Sequence, residues 1–327
     1  MSRWLIPTLL CVLVALGLVS LLAGTIWLSP ADLLAALSDP EPDLARIVMT
    51  EVRLPRLVLA VLVGGILGLS GAVLQGLLRN PLVEPGLLGI SGGASLGAVI
   101  ALYYGFAAAF ALAAPLFALG GALLASGVAL ALSRTGGTLS LILAGVAVST
   151  IAGAGVSLAL NLAPSPYAAY EIMTWLMGSL ADRSWDHVLL AAPFILLGGL
   201  LLLLTRPALD ALTLGERQAE SLGVDVRRTR LLALFGTALG VGAATAVAGA
   251  ISFVGLVAPH LVRPFVGHRP GATLVPAALT GAIIVLAADI ATRSLRMGSD
   301  IQLGVFISVI GAPFFLWLVL HVRRNAL

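Results

Sequence analysis

Apolar runs of helix-spanning length recur along the whole chain, separated by short polar stretches rich in Arg, Pro and Gly. They fall at approximately 5–28, 57–78, 88–106, 113–133, 139–162, 187–205, 230–250, 254–267, 271–292 and 303–322. An α-helix needs about 20 apolar residues to cross the hydrocarbon core of a bilayer. The pattern therefore predicts an all-α, polytopic integral membrane protein with roughly ten transmembrane helices. The run at 254–267 is too short to cross as a regular helix, which predicts a broken or partly buried segment. The first run, Leu5 to Leu28, follows Arg3 and has Trp4 and Trp27 near its two limits. A signal peptide has an apolar core of about 7–15 residues, so this longer run with interfacial aromatics reads as a retained first helix. A soluble connection, Ser29 to Glu51, follows, with Pro30, Asp32, Asp39, Pro40, Glu41, Pro42 and Asp43.

Composition supports the same class. Of 327 residues, 60% are hydrophobic and 10% charged, with a mean hydropathy of +1.10. Soluble domains carry about 25% charged residues. The net charge of +3 gives no reason to invoke nucleic acid. All eighteen basic residues are arginine. A Walker A loop needs its lysine on the β/γ-phosphates, so this chain cannot hydrolyse ATP through a P-loop, and Schiff-base chemistry is excluded for the same reason. Cys11 is the single cysteine, which rules out an internal disulfide and a thiolate metal site. His187, His260, His268 and His321 are scattered without metal-binding spacing.

Arginine placement predicts the orientation. With a cytoplasmic N-terminus, one side receives Arg3, Arg79, Arg134, Arg206, Arg217, Arg227, Arg228, Arg230, Arg269, Arg323 and Arg324. The other receives Arg46, Arg53, Arg56, Arg183, Arg293 and Arg296 among most of the acids. The positive-inside rule then puts both termini in the cytoplasm. An ungapped overlay of Gly71-Ala72, Pro81 and Gly89 on Gly249-Ala250, Pro259 and Gly267 reads as a weak inverted repeat. Small-residue stretches such as Gly64-Gly65, Gly92-Gly93 and Gly153-Ala154-Gly155 permit close helix packing.

The longest polar segment on the cytoplasmic side, Thr205 to Arg230, reads as a helix, a glycine turn and a second helix. Glu216 and Glu220 share a face, and Gly223 suits a left-handed cap. It is either a solvated loop or a short rigid helix that docks on a partner. Asp289 lies in an apolar run one turn before Arg293, so an i,i+4 pair is the plain account. Proton coupling through that acid is the alternative, and would make the chain an ion-coupled secondary transporter. Glu84, between Pro81 and Pro85, reads as a turn or helix N-terminal residue. Tyr167, Tyr170, Glu171, Met173 and Met177 form either a lipid-interface belt or a surface that brushes the substrate.

Four stretches carry a resemblance that spans about Arg53 to Arg323. RLPRLVLAVLVGGILGLSGAVLQGLLRNPLVEPGLLGISGGASLGA (Arg53 to Ala98), ESLGVDVRR, VAGAISFVGLVAPHLVRPFVG and GVFISVIGAPFFLWLV resemble the signatures of the iron-siderophore, haem and cobalamin permeases of type II ABC importers. The resemblance implies a single transmembrane permease domain over residues 1–327, with a coupling segment at about 206–230. It implies a homodimer in the bacterial inner membrane, two cytoplasmic ATP-binding subunits and a periplasmic substrate-binding protein. ATP and magnesium would bind on the partner ATPase, leaving no cofactor on this chain. Carried over by position, Arg53, Arg56 and Arg293 match the periplasmic arginines that meet the binding protein, with lipid-phosphate anchoring as the other reading. Ala219, Glu220, Ser221, Leu222 and Gly223 match the ATPase-coupling helix, and Thr138 and Leu139 the cytoplasmic gate. Ferric siderophore is the preferred cargo, because no inward-facing histidine pair suggests haem ligation. Haem and cobalamin are the alternatives.

Overall fold

The computed structural model describes residues 4–24, 27, 29, 44–110, 112–133, 138–295 and 301–325. Arg3, Arg134, Arg296 and the expected soluble residues from Pro30 to Asp43 lie outside the described residues, as do the side chains of Thr138, His321, Arg323 and Arg324.

Among the described residues, eight helices are long and apolar enough to cross a membrane, and two apolar helices are shorter. Helix α1 (Leu5–Leu22) ends earlier than its apolar run, because Ala23 turns extended. The next helix begins earlier than expected. A turn at Leu44–Ile47 and a π-helical stretch at Val48–Arg53 lead without a break into α2 (Leu54–Leu77). The soluble connection therefore ends by Leu44 rather than at Glu51. Pro55 has no N–H for the carbonyl of Glu51, and just ahead of it the helix widens: the Leu54 N–H reaches five residues back, to Met49 O.

A 3₁₀ turn at Pro85–Leu88 and left-handed Gly89 (φ 81°) precede α3 (Ile90–Tyr103). The expected single span over 88–106 is thus a helix of 14 residues, about 21 Å long and short of the hydrocarbon thickness. Helices α4 (Ala113–Leu132) and α5 (Thr138–Asn161) follow, then the short amphipathic α6 (Pro166–Leu176) and α7 (Trp185–Leu204). The polar segment folds as α8 (Arg206–Leu212) and α9 (Glu216–Ser221) before α10 (Val226–Ala248). The chain closes with α11 (Val254–Val262), α12 (Pro270–Ser294) and α13 (Leu303–Asn325). Helix α11, with Pro259 inside it, is the short segment expected at 254–267.

The most buried of these helices is also the least hydrophobic. Helix α10 is the most enclosed of the eight and carries Gly236, Thr237 and Gly240 in its centre, while α1 is the most hydrophobic and is mostly uncovered by the described residues. In lipid no hydrophobic gradient drives helices together, so close backbone approach selects the interior residues. Helix α2 lies along α12 so closely that a Cβ on Gly64 would collide with the carbonyl of Gly281. Gly71 is likewise pressed against the backbone of Gly255 in α11. The overlay of the two Gly/Pro stretches holds only at its end. Gly89 and Gly267 are both left-handed and both precede a helix. Gly71, however, lies inside α2 while Gly249 lies past the end of α10, and Pro81 sits in a turn while Pro259 sits in a helix.

Candidate functional site

The sequence-predicted residues gather at two opposite ends of the bundle. At one end the C-terminus of α1 exposes carbonyls with no helical partner. Arg53, only 6% exposed, turns inward and donates from Nη1 to Leu21 O (2.6 Å) and Leu22 O (2.9 Å). Arg293, near the end of α12, donates to Ser20 O (3.2 Å), Ala23 O (3.0 Å) and Ser20 Oγ (2.7 Å). Guanidinium groups suit this place, since a helix C-terminus carries partial negative charge. Between them lies Asp289, with no exposed surface. Its carboxylate pairs with Arg293 at 3.0 Å, as the i,i+4 spacing implies. It also pairs with Arg56 across 233 positions of sequence, at 2.8 Å to Nη2 and 2.9 Å to Nε. A proton-coupling cycle through Asp289 would have to break both ion pairs. Within this cluster three guanidinium groups face one carboxylate, a local excess of two positive charges, while Glu51, Glu171, Asp182 and Asp186 lie at the same end. Arg183, held by the loop before α7, caps α10 in the same manner by donating to Val247 O (2.6 Å), and burial lowers its pKa.

At the opposite end, α8, α9 and the start of α10 form a helical projection held by capping bonds. Ala219 is fully buried, whereas Glu220, Ser221, Leu222 and Gly223 face outward. Leu222 is 66% exposed. Gly223 (φ 85°) ends α9 in a Schellman motif: its N–H donates to Glu220 O (2.9 Å), and the Val224 N–H donates to Ala219 O (3.0 Å). Asp225 caps α10 by accepting from the Arg228 N–H (2.8 Å). Glu216 reaches Arg230 at 3.6 Å. Of the two readings of this segment, the ordered helix–turn–helix is what folds.

Thr138 and Leu139 open α5. Leu139 is 69% exposed, and Leu143, Ile151 and Leu158 along the same helix are exposed too, so α5 presents a long apolar face that none of the described residues covers. At the other end of that helix α6, capped by Ser165 accepting from the Ala168 N–H (3.1 Å), holds Tyr167 and Tyr170 outward.

Several contacts left no mark in the sequence pattern. Gln75, buried in α2, accepts from Arg263 Nη2 (2.5 Å) and donates to Val83 O (3.3 Å) and Gly255 O (3.2 Å). Glu84, expected as a turn or helix-start residue, is the N-cap position of the 3₁₀ turn and also accepts from the Phe253 N–H (3.0 Å) at the start of α11. Burial raises its pKa, and the Phe253 bond opposes that shift. The residue types alone, a Gln and a Glu beside turns, were the available signal.

The family model described as the FecCD transport family matches residues 12–321. The chain belongs to this family. A relative, the hemin transport system permease protein HmuU of Yersinia pestis, is 39% identical over 328 residues, covering 99% of this chain and 97% of that protein. The vitamin B12 import system permease protein BtuC of Vibrio vulnificus (strain CMCP6) is 40% identical over 327 residues, with coverage of 98% and 95%. A solved structure described as an inward-facing conformation of a metal-chelate type ABC transporter is 33% identical, with a TM-score of 0.87, and covers 98% of this chain and 100% of its own. The FecCD match runs from within α1 to within α13, so both ends described above belong to the shared fold.

Proposed function

We propose that this chain is the transmembrane permease subunit of an ATP-driven importer that moves a metal chelate across the bacterial inner membrane. The observation that carries the reading is the projection around α9, an anchored Ala219 beneath an exposed Glu220-to-Gly223 edge, on a chain with no lysine for a P-loop. Such a chain supplies a conduit and takes its motor from elsewhere. ATP and magnesium then bind on two cytoplasmic ATPase subunits that grip the Ala219–Gly223 edge. The uncovered face of α5 suits a second permease copy, with Thr138 and Leu139 as the gate at the cytoplasmic mouth.

Exposed arginines support the orientation. Arg79, Arg206, Arg217, Arg227, Arg228 and Arg269 are all exposed at the α9 end, which fits a cytoplasmic surface with both termini on that side. The cluster of Arg53, Arg56 and Arg293 then faces the periplasm. Its net positive charge suits an acidic rim on a substrate-binding protein, and that association should weaken as ionic strength rises. Deleting residues 219–223 should abolish uptake and ATPase copurification while leaving membrane insertion intact. Normal uptake after the deletion would contradict the reading.

The cargo has two readings within one class. The hemin and vitamin B12 relatives favour a macrocyclic chelate, haem or cobalamin, while the scattered histidines favour ferric siderophore. Spectroscopy of the binding protein purified from cells separates them, since haem and cobalamin absorb as macrocycles and a ferric siderophore as a charge-transfer complex.

A further inference from the structure

Helix α8 is not part of the exposed α9 edge, yet it makes the firmest link between the polar segment and the membrane helices. Asp210 Oδ1 accepts from the Gly271 N–H at the first turn of α12 (2.9 Å), and Oδ2 accepts from Arg269 Nη2 (3.2 Å). A carboxylate at a helix N-terminus meets unpaired N–H groups and the positive end of the dipole. Leu209, the neighbouring residue, is buried and packs against Gly76 of α2. Space at the joint is tight: a Cβ on Gly271 would lie 2.8 Å from Arg206 O and 2.9 Å from Asp210 Oδ2. One short helix thus sits across the ends of both α2 and α12.

These two helices form one mechanical unit. They are pressed backbone to backbone where Gly64 meets Gly281 and Gly68 meets Ala277. At the far end the Arg56–Asp289 ion pair locks the same two helices together. The 25 residues of α12 extend about 37 Å, which is enough to join the coupling segment to the arginine cluster. A packed pair tied at both ends moves as a body, because closely packed interiors shift between discrete arrangements rather than stretch.

We propose that Asp210 is a positioning residue for energy coupling, fixing the α8–α9 segment to the N-terminus of α12 so that the α2–α12 pair relays events between the ATPase edge and the Arg56–Asp289 cluster. The inference rests on the functional reading above and adds a route and a joint to it.

The test uses the whole complex: permease, copurified ATPase subunits and the binding protein with the chelate it holds from cells, in lipid nanodiscs, read as phosphate release with and without binding protein. Asp210→Ala should assemble and hydrolyse ATP at its basal rate but lose about fivefold or more of the stimulation by binding protein, the range of an ordinary coupling free energy. Gly271→Ala opens the same joint from the α12 side and should show the same loss. Asp210→Asn keeps an acceptor for the Gly271 N–H and should retain most of the stimulation, as should Arg269→Ala. Full stimulation in either Asp210→Ala or Gly271→Ala overturns the proposal. So does a loss of assembly and basal hydrolysis in step with stimulation, which marks a structural role only. Failure of the unsubstituted chain to copurify any ATPase contradicts the functional reading itself.

Discussion

Both ends of the bundle carry arginines, and they use them in opposite ways. At the end where α1 and α10 finish, Arg53, Arg183 and Arg293 are turned onto helix carbonyls, and Arg56 joins Arg293 on a buried carboxylate. At the end that holds α9, Arg79, Arg206, Arg217, Arg227 and Arg228 stand exposed. The first set satisfies the chain's own helix carbonyls and the Asp289 carboxylate, so that any charge it shows to a partner is the excess of the cluster as a whole, whereas each arginine of the second set stands at the surface. A count of cations per side therefore mixes two kinds of arginine. Burial and partner separate them.

The largest test of that contrast is Asp289→Ala. It leaves the half-buried Arg56 and Arg293 guanidinium groups without their buried counter-ion, and should lower stability by about 3 kcal/mol, the lower end for a broken buried pair, in detergent unfolding. A loss of only a few tenths would mean that this end is wet and loosely held. Next is Arg53→Ala, which removes two bonds to the end of α1. A cost of about 1–2 kcal/mol is expected, with hydrogen exchange quickened at Leu21 and Leu22 rather than across the bundle.

A smaller effect depends on pH. The folded state raises the Glu84 pKa through burial, so it favours the protonated carboxyl. That contribution is complete below the ordinary carboxylate value and is lost as pH rises through the raised one. Glu84→Gln keeps an acceptor for the Phe253 N–H and should remove this slope, leaving the variant relatively more stable at neutral pH. An unchanged slope in the melting temperature against pH would contradict the assignment. The smallest effect belongs to the α9 end. Glu216→Ala breaks a part-exposed pair of 3.6 Å and should cost no more than about 0.5 kcal/mol, measured by the same unfolding.

The features legible in the sequence were local ones. Apolar run length located the spans, the i,i+4 spacing gave Asp289–Arg293, and Gly223 marked the end of α9. Resemblance then supplied the family and the two groups of residues that the fold places at opposite ends. What escaped was long-range or a matter of boundaries. Arg56 and Asp289 meet across 233 positions, and Asp210 finds Gly271 across 61, separations that leave no periodic trace. The early start at Leu44 was hidden because Glu51 and Arg53 look like loop residues until α1 supplies carbonyls for the arginine. The shortness of α3 was hidden because Gly89 continues an apolar run while breaking the helix. The overlay of Gly71 on Gly249 failed because glycine serves two purposes here, helix contact in one copy and a left-handed turn in the other.

On the proposed function, the exposed α9 edge lies in the cytosol and holds the motor. Leu222→Cys in a Cys11→Ser background offers a single thiol for a membrane-impermeant reagent and a short cross-linker. Labelling is expected in inverted membrane vesicles but not in intact spheroplasts, together with a cross-link to an ATP-hydrolysing subunit. Labelling from the outside of intact spheroplasts would contradict it.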